Sequence, residues 1–146
     1  MKKLIAAVGL VAALALTGCS TGTTNSNDAD TPDATAEAPA ILDLNGEWEQ
    51  ANKNSDDNFQ AATIADGVIT VNWIAPDSKS IYWVGTAPTD ETEQKFTWTS
   101  AGDTEAMSTA LLASGDDAKE FVYDNGVISY EVTALGTTMT VKLERK

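Results

Sequence analysis

The chain reads as an all-β protein, an antiparallel up-and-down meander of eight or nine short strands that closes into a small barrel. Three observations predict this. Apolar and polar residues alternate with period two through most of the chain beyond residue 41. Glycine-bearing turn pairs separate the alternating stretches, and the connections between them are too short for crossovers.

Taken in order, strands are expected near 46–51, 59–65, 68–75, 80–86, 93–100, 107–113, 119–124, 127–134 and 137–145. Ile69, Val71 and Trp73 alternate with Thr70 and Asn72, and Phe96 and Trp98 with Thr97 and Thr99. Ile128, Tyr130 and Val132 alternate with Ser129, Glu131 and Thr133, and Met139, Val141 and Leu143 with Thr140, Lys142 and Glu144. Each stretch has one apolar face and one wet face, as antiparallel strands covering a core require. Asp66-Gly67 and Asn125-Gly126 suit type I′ hairpins, Gly136 marks a third turn, and Pro76 and Pro88 interrupt the chain between runs. The segment 107–113 is read as a strand, with a short helix as its alternative. A meander of this length curls and closes because closure removes exposed edges. The alternative, a Greek-key sandwich, needs longer crossovers than the chain offers outside 51–58 and 101–106.

The domain opens with Leu44-Asn45-Gly46-Glu47-Trp48. A Gly-x-Trp at the start of the first strand resembles lipocalins, avidins and related calycin-type barrels. The resemblance implies that Trp48 plugs one end of the barrel and that an Arg late in the last strand lies over its ring. Arg145 is in that position. Independently, the two-residue period aims Arg145 the same way as Met139, Val141 and Leu143. An inward guanidinium needs a partner, and an indole face supplies one worth ~0.5–2 kcal/mol. Trp48 and Arg145 are therefore read as structural barrel closure.

Before the domain the chain carries an address. Met1-Lys2-Lys3 precedes an uncharged run from Leu4 to Leu16, a positive n-region followed by an apolar h-region of signal-peptide length. Crossing a ~30 Å hydrocarbon core takes ~20 apolar residues, so the run is short for a permanent span. It ends in Leu16-Thr17-Gly18-Cys19, which resembles the lipobox of bacterial lipoproteins. The resemblance implies cleavage before Cys19, the only Cys of the chain, and a diacylglycerol on its sulfur. Two acyl chains hold a protein stably at a membrane where one does not. Residues 20–40 are Ser, Thr, Asn, Asp, Pro, Ala and Gly with a single Glu, Glu37, and no aromatic residue, a composition that reads as a disordered tether. The expected organisation is thus 1–18 signal peptide, 19–40 lipidated Cys and linker, and 41–146 β-barrel, held by its lipid on the extracytoplasmic face of the cell membrane.

Composition narrows the function. The formal charge is −13; removing Lys2 and Lys3 with the signal segment leaves seven Lys/Arg against 22 acids, or −15. Such a surface repels phosphate backbones, so no nucleic-acid partner is expected, and it favours a soluble monomer. With no His and no free thiol in the mature chain, the common nucleophile–base pairs are missing. Ser78-Lys79-Ser80 reads as an exposed turn, because a lysine base must be buried to lower its pKa. Asp43-x-Asn45-x-Glu47 opens like a calcium loop, but position 12 falls on Asn54 instead of Glu, so no metal site is expected. No cofactor is expected beyond the lipid on Cys19.

The aromatics Trp73, Tyr82, Trp83, Trp98, Phe121, Tyr123 and Tyr130 are assigned to the core by default. Ser80-Ile81-Tyr82-Trp83-Val84 is apolar on both faces, however. If Ile81 and Trp83 face one side, Tyr82 and Val84 face the other. Either that face is covered, or Tyr82 and Trp83 belong to a binding surface. The expected function is a non-enzymatic, surface-tethered binding module for a protein partner or a small apolar ligand. The layout of lipobox, Thr/Asp tether and small β-domain is also similar to unassigned prophage-associated lipoproteins of Gram-positive bacteria. That similarity implies the alternative, a structural or accessory envelope lipoprotein that blocks a receptor against superinfecting phage.

Overall fold

The computed structural model describes residues 39–134 and 136–146. The signal segment, Cys19 and the linker up to residue 38 lie outside the described residues. Eight strands follow: β1 (Gly46–Gln50), β2 (Phe59–Ala65), β3 (Val68–Ala75), β4 (Ser78–Thr86), β5 (Lys95–Ala101), β6 (Ala118–Asp124), β7 (Val127–Ala134) and β8 (Thr137–Arg145). A single helical turn, α1 (Thr104–Met107), lies between β5 and β6.

The strands form one antiparallel sheet in the order β4-β3-β2-β1-β8-β7-β6-β5. Every neighbour is consecutive in the chain except β1 and β8, so the sheet is a meander whose first and last strands have come together. It curls until its free edges, β4 and β5, touch. Their contact is a single bridge, Gly85 to Gly102. Side chains complete the seam: Trp83 Nε1 donates to Ser100 Oγ at 3.0 Å and Trp98 Nε1 to the Thr86 carbonyl at 3.2 Å.

The period-two pattern becomes burial. Gln60, Ala62 and Ile64 of β2 point inward, as do Ile69 and Val71 of β3, Ile128, Tyr130 and Val132 of β7, and Val141 and Leu143 of β8. The turns take the left-handed backbone that a two-residue hairpin demands, with φ of 50° and 75° at Asp66-Gly67 and 48° and 95° at Asn125-Gly126. Trp73, Tyr82, Tyr130, Phe121, Trp98, Phe96 and Tyr123 form one unbroken chain of ring contacts, with centroids 4.9–6.3 Å apart.

Two expectations are corrected. Residues 107–113 are not a strand: α1 ends at Met107, and turns follow. Asp103 caps that turn, its Oδ1 accepting from Ala106 N at 2.9 Å, and Met107 alone of the segment is buried. Leu111 and Leu112 are exposed, so the segment offers no apolar face with period two. Secondly, Tyr82 and Trp83 are no exposed surface; they are 6% and 0% exposed. In the β3–β4 ladder Val71 pairs with Trp83 and Asn72 with Ile81, which leaves Tyr82 as the extra residue of a bulge. A bulge breaks alternation, and both rings are sheltered.

One end of the barrel is plugged. Trp48, 2% exposed, donates from Nε1 to the Leu44 carbonyl at 3.1 Å. Arg145, its register partner on β8, sits with its guanidinium carbon 4.9 Å from the indole centre. The guanidinium also donates to the carbonyls of Asn45 and Asp43, the latter at 2.6 Å. Gly46 has φ +132°, a backbone that favours glycine, and a Cβ there would lie 2.7 Å from Arg145 Nη1, so the guanidinium would have to shift. Asp43 Oδ1 accepts from Asn45 N and Nδ2, both at 2.9 Å, which uses this acid to shape the turn before β1.

Candidate binding cleft

The opposite end is open, and the opening originates in one hairpin. β6 and β7 pair from Asp124↔Val127 through Val122↔Ser129 to Phe121↔Tyr130, and there the ladder stops. Both strands continue: Ala118, Lys119 and Glu120 stay paired to β5, and Glu131 to Ala134 stay paired to β8. The hairpin is therefore a fork with each prong bonded on its outer side.

Counting outward from the Asn125-Gly126 turn, the next pair would set Glu120 opposite Glu131. Both are exposed, on the wet face. Like charges directly opposite oppose pairing by roughly 0.2–1 kcal/mol. On the inner face Lys119 turns away from its would-be partner Val132. Its ammonium lies 3.0 Å from Asp116 Oδ2, 5.4 Å from the Tyr82 ring centre and 5.5 Å from that of Trp83. Burial alone would push the Lys119 pKa down, but the Asp116 carboxylate first and the neighbouring Tyr82 second outweigh it and hold the pKa above the ordinary lysine value. Asp116 is held below the usual carboxylate range by Ser114 first and Lys119 second.

The fork opens into a cleft of about 850 Å³. Trp73, Tyr82 and Tyr130 form its inner wall, Glu120 and Glu131 its rim, and Leu112 with Ser114 one side. The segment 108–117 is latched beside it: Ser114 N donates to the Tyr82 carbonyl and Gly102 N to that of Asp117, each at 2.8 Å. Leu111 is fully exposed and Leu112 is 55% exposed at the tip of this segment. Behind the wall, the Tyr130 hydroxyl donates to Gln60 Oε1. Burial first, and the neighbouring Tyr82 phenol second, raise the Tyr130 pKa well above the ordinary tyrosine range. Gln60 is wholly buried and its Nε2 has no partner among the described residues.

Of the site residues expected from the sequence, Tyr82 lines this cleft from within, and Trp83 lies behind it against Lys119. Trp48 and Arg145 are at the plugged end, away from it. Cys19 is outside the described residues. Lys119, Gln60, Glu120 and Glu131 were not singled out in the sequence, although signals existed. Lys119 shares parity with Phe121 and Tyr123, and Gln60 with Ala62 and Ile64, so each is a polar residue on an apolar face. Hairpin counting from Asn125-Gly126 brings the two glutamates together. What the sequence did not carry is that strand pairing yields at this point.

Among the described residues no cluster of three or more His, Cys, Asp or Glu is placed to hold a metal ion. No helix among them is long and apolar enough to cross a membrane. No family model matches the chain, and no curated protein or solved structure matches it either.

Proposed function

We propose that this chain is a lipid-anchored, non-enzymatic binding module of the extracytoplasmic membrane face, and that it holds a protein partner in the cleft between β6 and β7. The observation that carries the reading is the cleft itself, open to solvent at the end of the barrel away from the Trp48 plug. Within the domain, β1 starts at the plugged end, and the fork lies at the opposite end. Support for the anchor comes from Lys2, Lys3, the apolar run and Leu16-Thr17-Gly18-Cys19. A protein is preferred over a small apolar ligand because Trp83, Phe121, Ile64, Ile69 and Leu143 fill the interior, leaving a space rimmed by charge.

Two experiments test this. Cys19→Ala should abolish labelling by radioactive palmitate and release the protein from membranes; unchanged retention and labelling refute the anchor. A photo-crosslinking amino acid placed at Leu112 or Glu120 on intact cells should give discrete adducts that the same group at Thr63, on the outer face of β2, does not. Equal adducts at all three positions, or none at the cleft, refute the binding assignment.

A further inference from the structure

We infer that the β6–β7 fork accepts an extended peptide segment bearing basic side chains, which adds between the two strands as a further strand. This rests on the cleft being the binding site and specifies the chemistry of what enters it.

The argument begins with the backbone. Ala118–Glu120 and Glu131–Ala134 are paired on one side only, so the fork presents two strand edges to the cleft. Unpaired edges are templates for main-chain hydrogen bonding, and an extended peptide is the ligand that satisfies them. Most proteins blunt such edges with charge. Here the charges, Glu120 and Glu131, have one sign and stand across the fork from each other. That arrangement keeps the two prongs from pairing with each other while leaving both open to a segment that brings positive charge.

The pleat then sets a sequence preference. Residues of an inserted strand alternate between the two faces of the sheet. Those pointing out would lie beside Glu120 and Glu131, where Lys or Arg is favoured. Those pointing in would meet Tyr82, Tyr130 and Val132, all lining the cleft, where apolar side chains are favoured. Lys119 does not oppose a basic ligand on the rim, because it lies on the inner face and is paired with Asp116. Exposed Leu112 adds an apolar contact at the mouth. The recognised segment is thus an alternating basic–apolar stretch, and the chain's net charge of −13 steers such a segment toward it.

The test uses the full-length protein and three synthetic probes: an alternating Lys/Val peptide, the same peptide with Glu for Lys, and the Lys/Val peptide N-methylated at alternate residues. Binding is read by tryptophan fluorescence, and placement by hydrogen exchange of amides 118–120 and 131–134. The Lys/Val peptide should bind at least about tenfold more tightly than either of the others, protect those amides, and weaken as salt rises. Glu131→Lys turns the repulsive pair into an attractive one and should lower affinity at least about tenfold. Glu131→Thr, which removes the repulsion without reversing its sign, should lower it in the same direction. Circular dichroism checks that both variants fold. Equal binding of the N-methylated peptide would show surface electrostatics alone and overturn strand addition. Failure of every peptide, with cleft crosslinks still forming on cells, would overturn this inference and leave the binding module standing; loss of the cleft crosslinks would overturn both.

Discussion

Replacing Trp48 with Ala tests the closure of the barrel most directly. Three interactions converge on the indole: near-complete burial at 2% exposure, the 3.1 Å hydrogen bond to the Leu44 carbonyl, and the Arg145 guanidinium 4.9 Å from its ring centre. A buried Trp→Ala change costs roughly 3–5 kcal/mol, counting transfer and the cavity left behind. The cation–π share of that is small, about 0.5–1 kcal/mol, because Arg145 is exposed. Graded variants separate the parts. Trp48→Phe keeps an aromatic body and loses the donor, and should cost about 1–2 kcal/mol. Arg145→Met keeps the stem and should cost about 1 kcal/mol, since the freed carbonyls of Asp43 and Asn45 can rehydrate. Combined with Trp48→Ala, it should show a coupling of about 0.5–1 kcal/mol in a double-mutant cycle. The assay is urea unfolding followed by circular dichroism. For a domain of about 105 residues, Trp48→Ala should lower Tm by more than ~10 °C. A loss under about 1 kcal/mol would show that the ring is peripheral and that β1–β8 pairing alone closes this end.

Other consequences follow from single contacts. Gly85→Ala would place a methyl 2.6 Å from the Ala101 carbonyl and 2.7 Å from Trp83 Nε1, so it should separate β4 from β5 and lower stability by about 1–3 kcal/mol, read by urea unfolding. Tyr130 titrates well above the ordinary tyrosine range in the native state, whereas in the unfolded chain it ionises near pH ~10. The native state then keeps a proton that the unfolded state loses, so this contribution is intact below about pH 10 and lost as pH rises beyond it. Tyr130→Phe should flatten that alkaline fall, at about 1–3 kcal/mol for leaving Gln60 Oε1 unpaired; an unchanged slope in unfolding measured against pH refutes it. Leu111→Ser, at a fully exposed position, should change stability by no more than about 0.5 kcal/mol.

Most of the fold was legible because its causes are local. A residue's parity in a strand is set by its immediate neighbours, so Ile128, Tyr130 and Val132 could be placed inside from the alternation alone. Asp66-Gly67 and Asn125-Gly126 announced their hairpins because few other residue pairs accept φ > 0 twice in succession. The segment after Gly102 was misread as a strand because Met107, Leu111 and Leu112 supply apolar residues without a period, and only the Asp103 cap and the burial of Met107 decide among the alternatives.

The sequence by itself determined eight of the strands, their meander order, and, for β3, β5 and β7, the apolar face turned to the core. By parity it also allowed Arg145 to reach Trp48. Tertiary structure decided where the pattern yields. Tyr82 faces inward because β4 carries one more residue than β3 across the bulge, a mismatch defined only once the two strands are laid side by side. The cleft opens where the hairpin register would set Glu120 opposite Glu131, and where Lys119, paired with nearby Asp116, packs against Tyr82 and Trp83 from the distant strand β4. Alternation is a property of one strand and can be read along it; pairing is a free-energy difference between strands, set by neighbours that only the folded chain brings together.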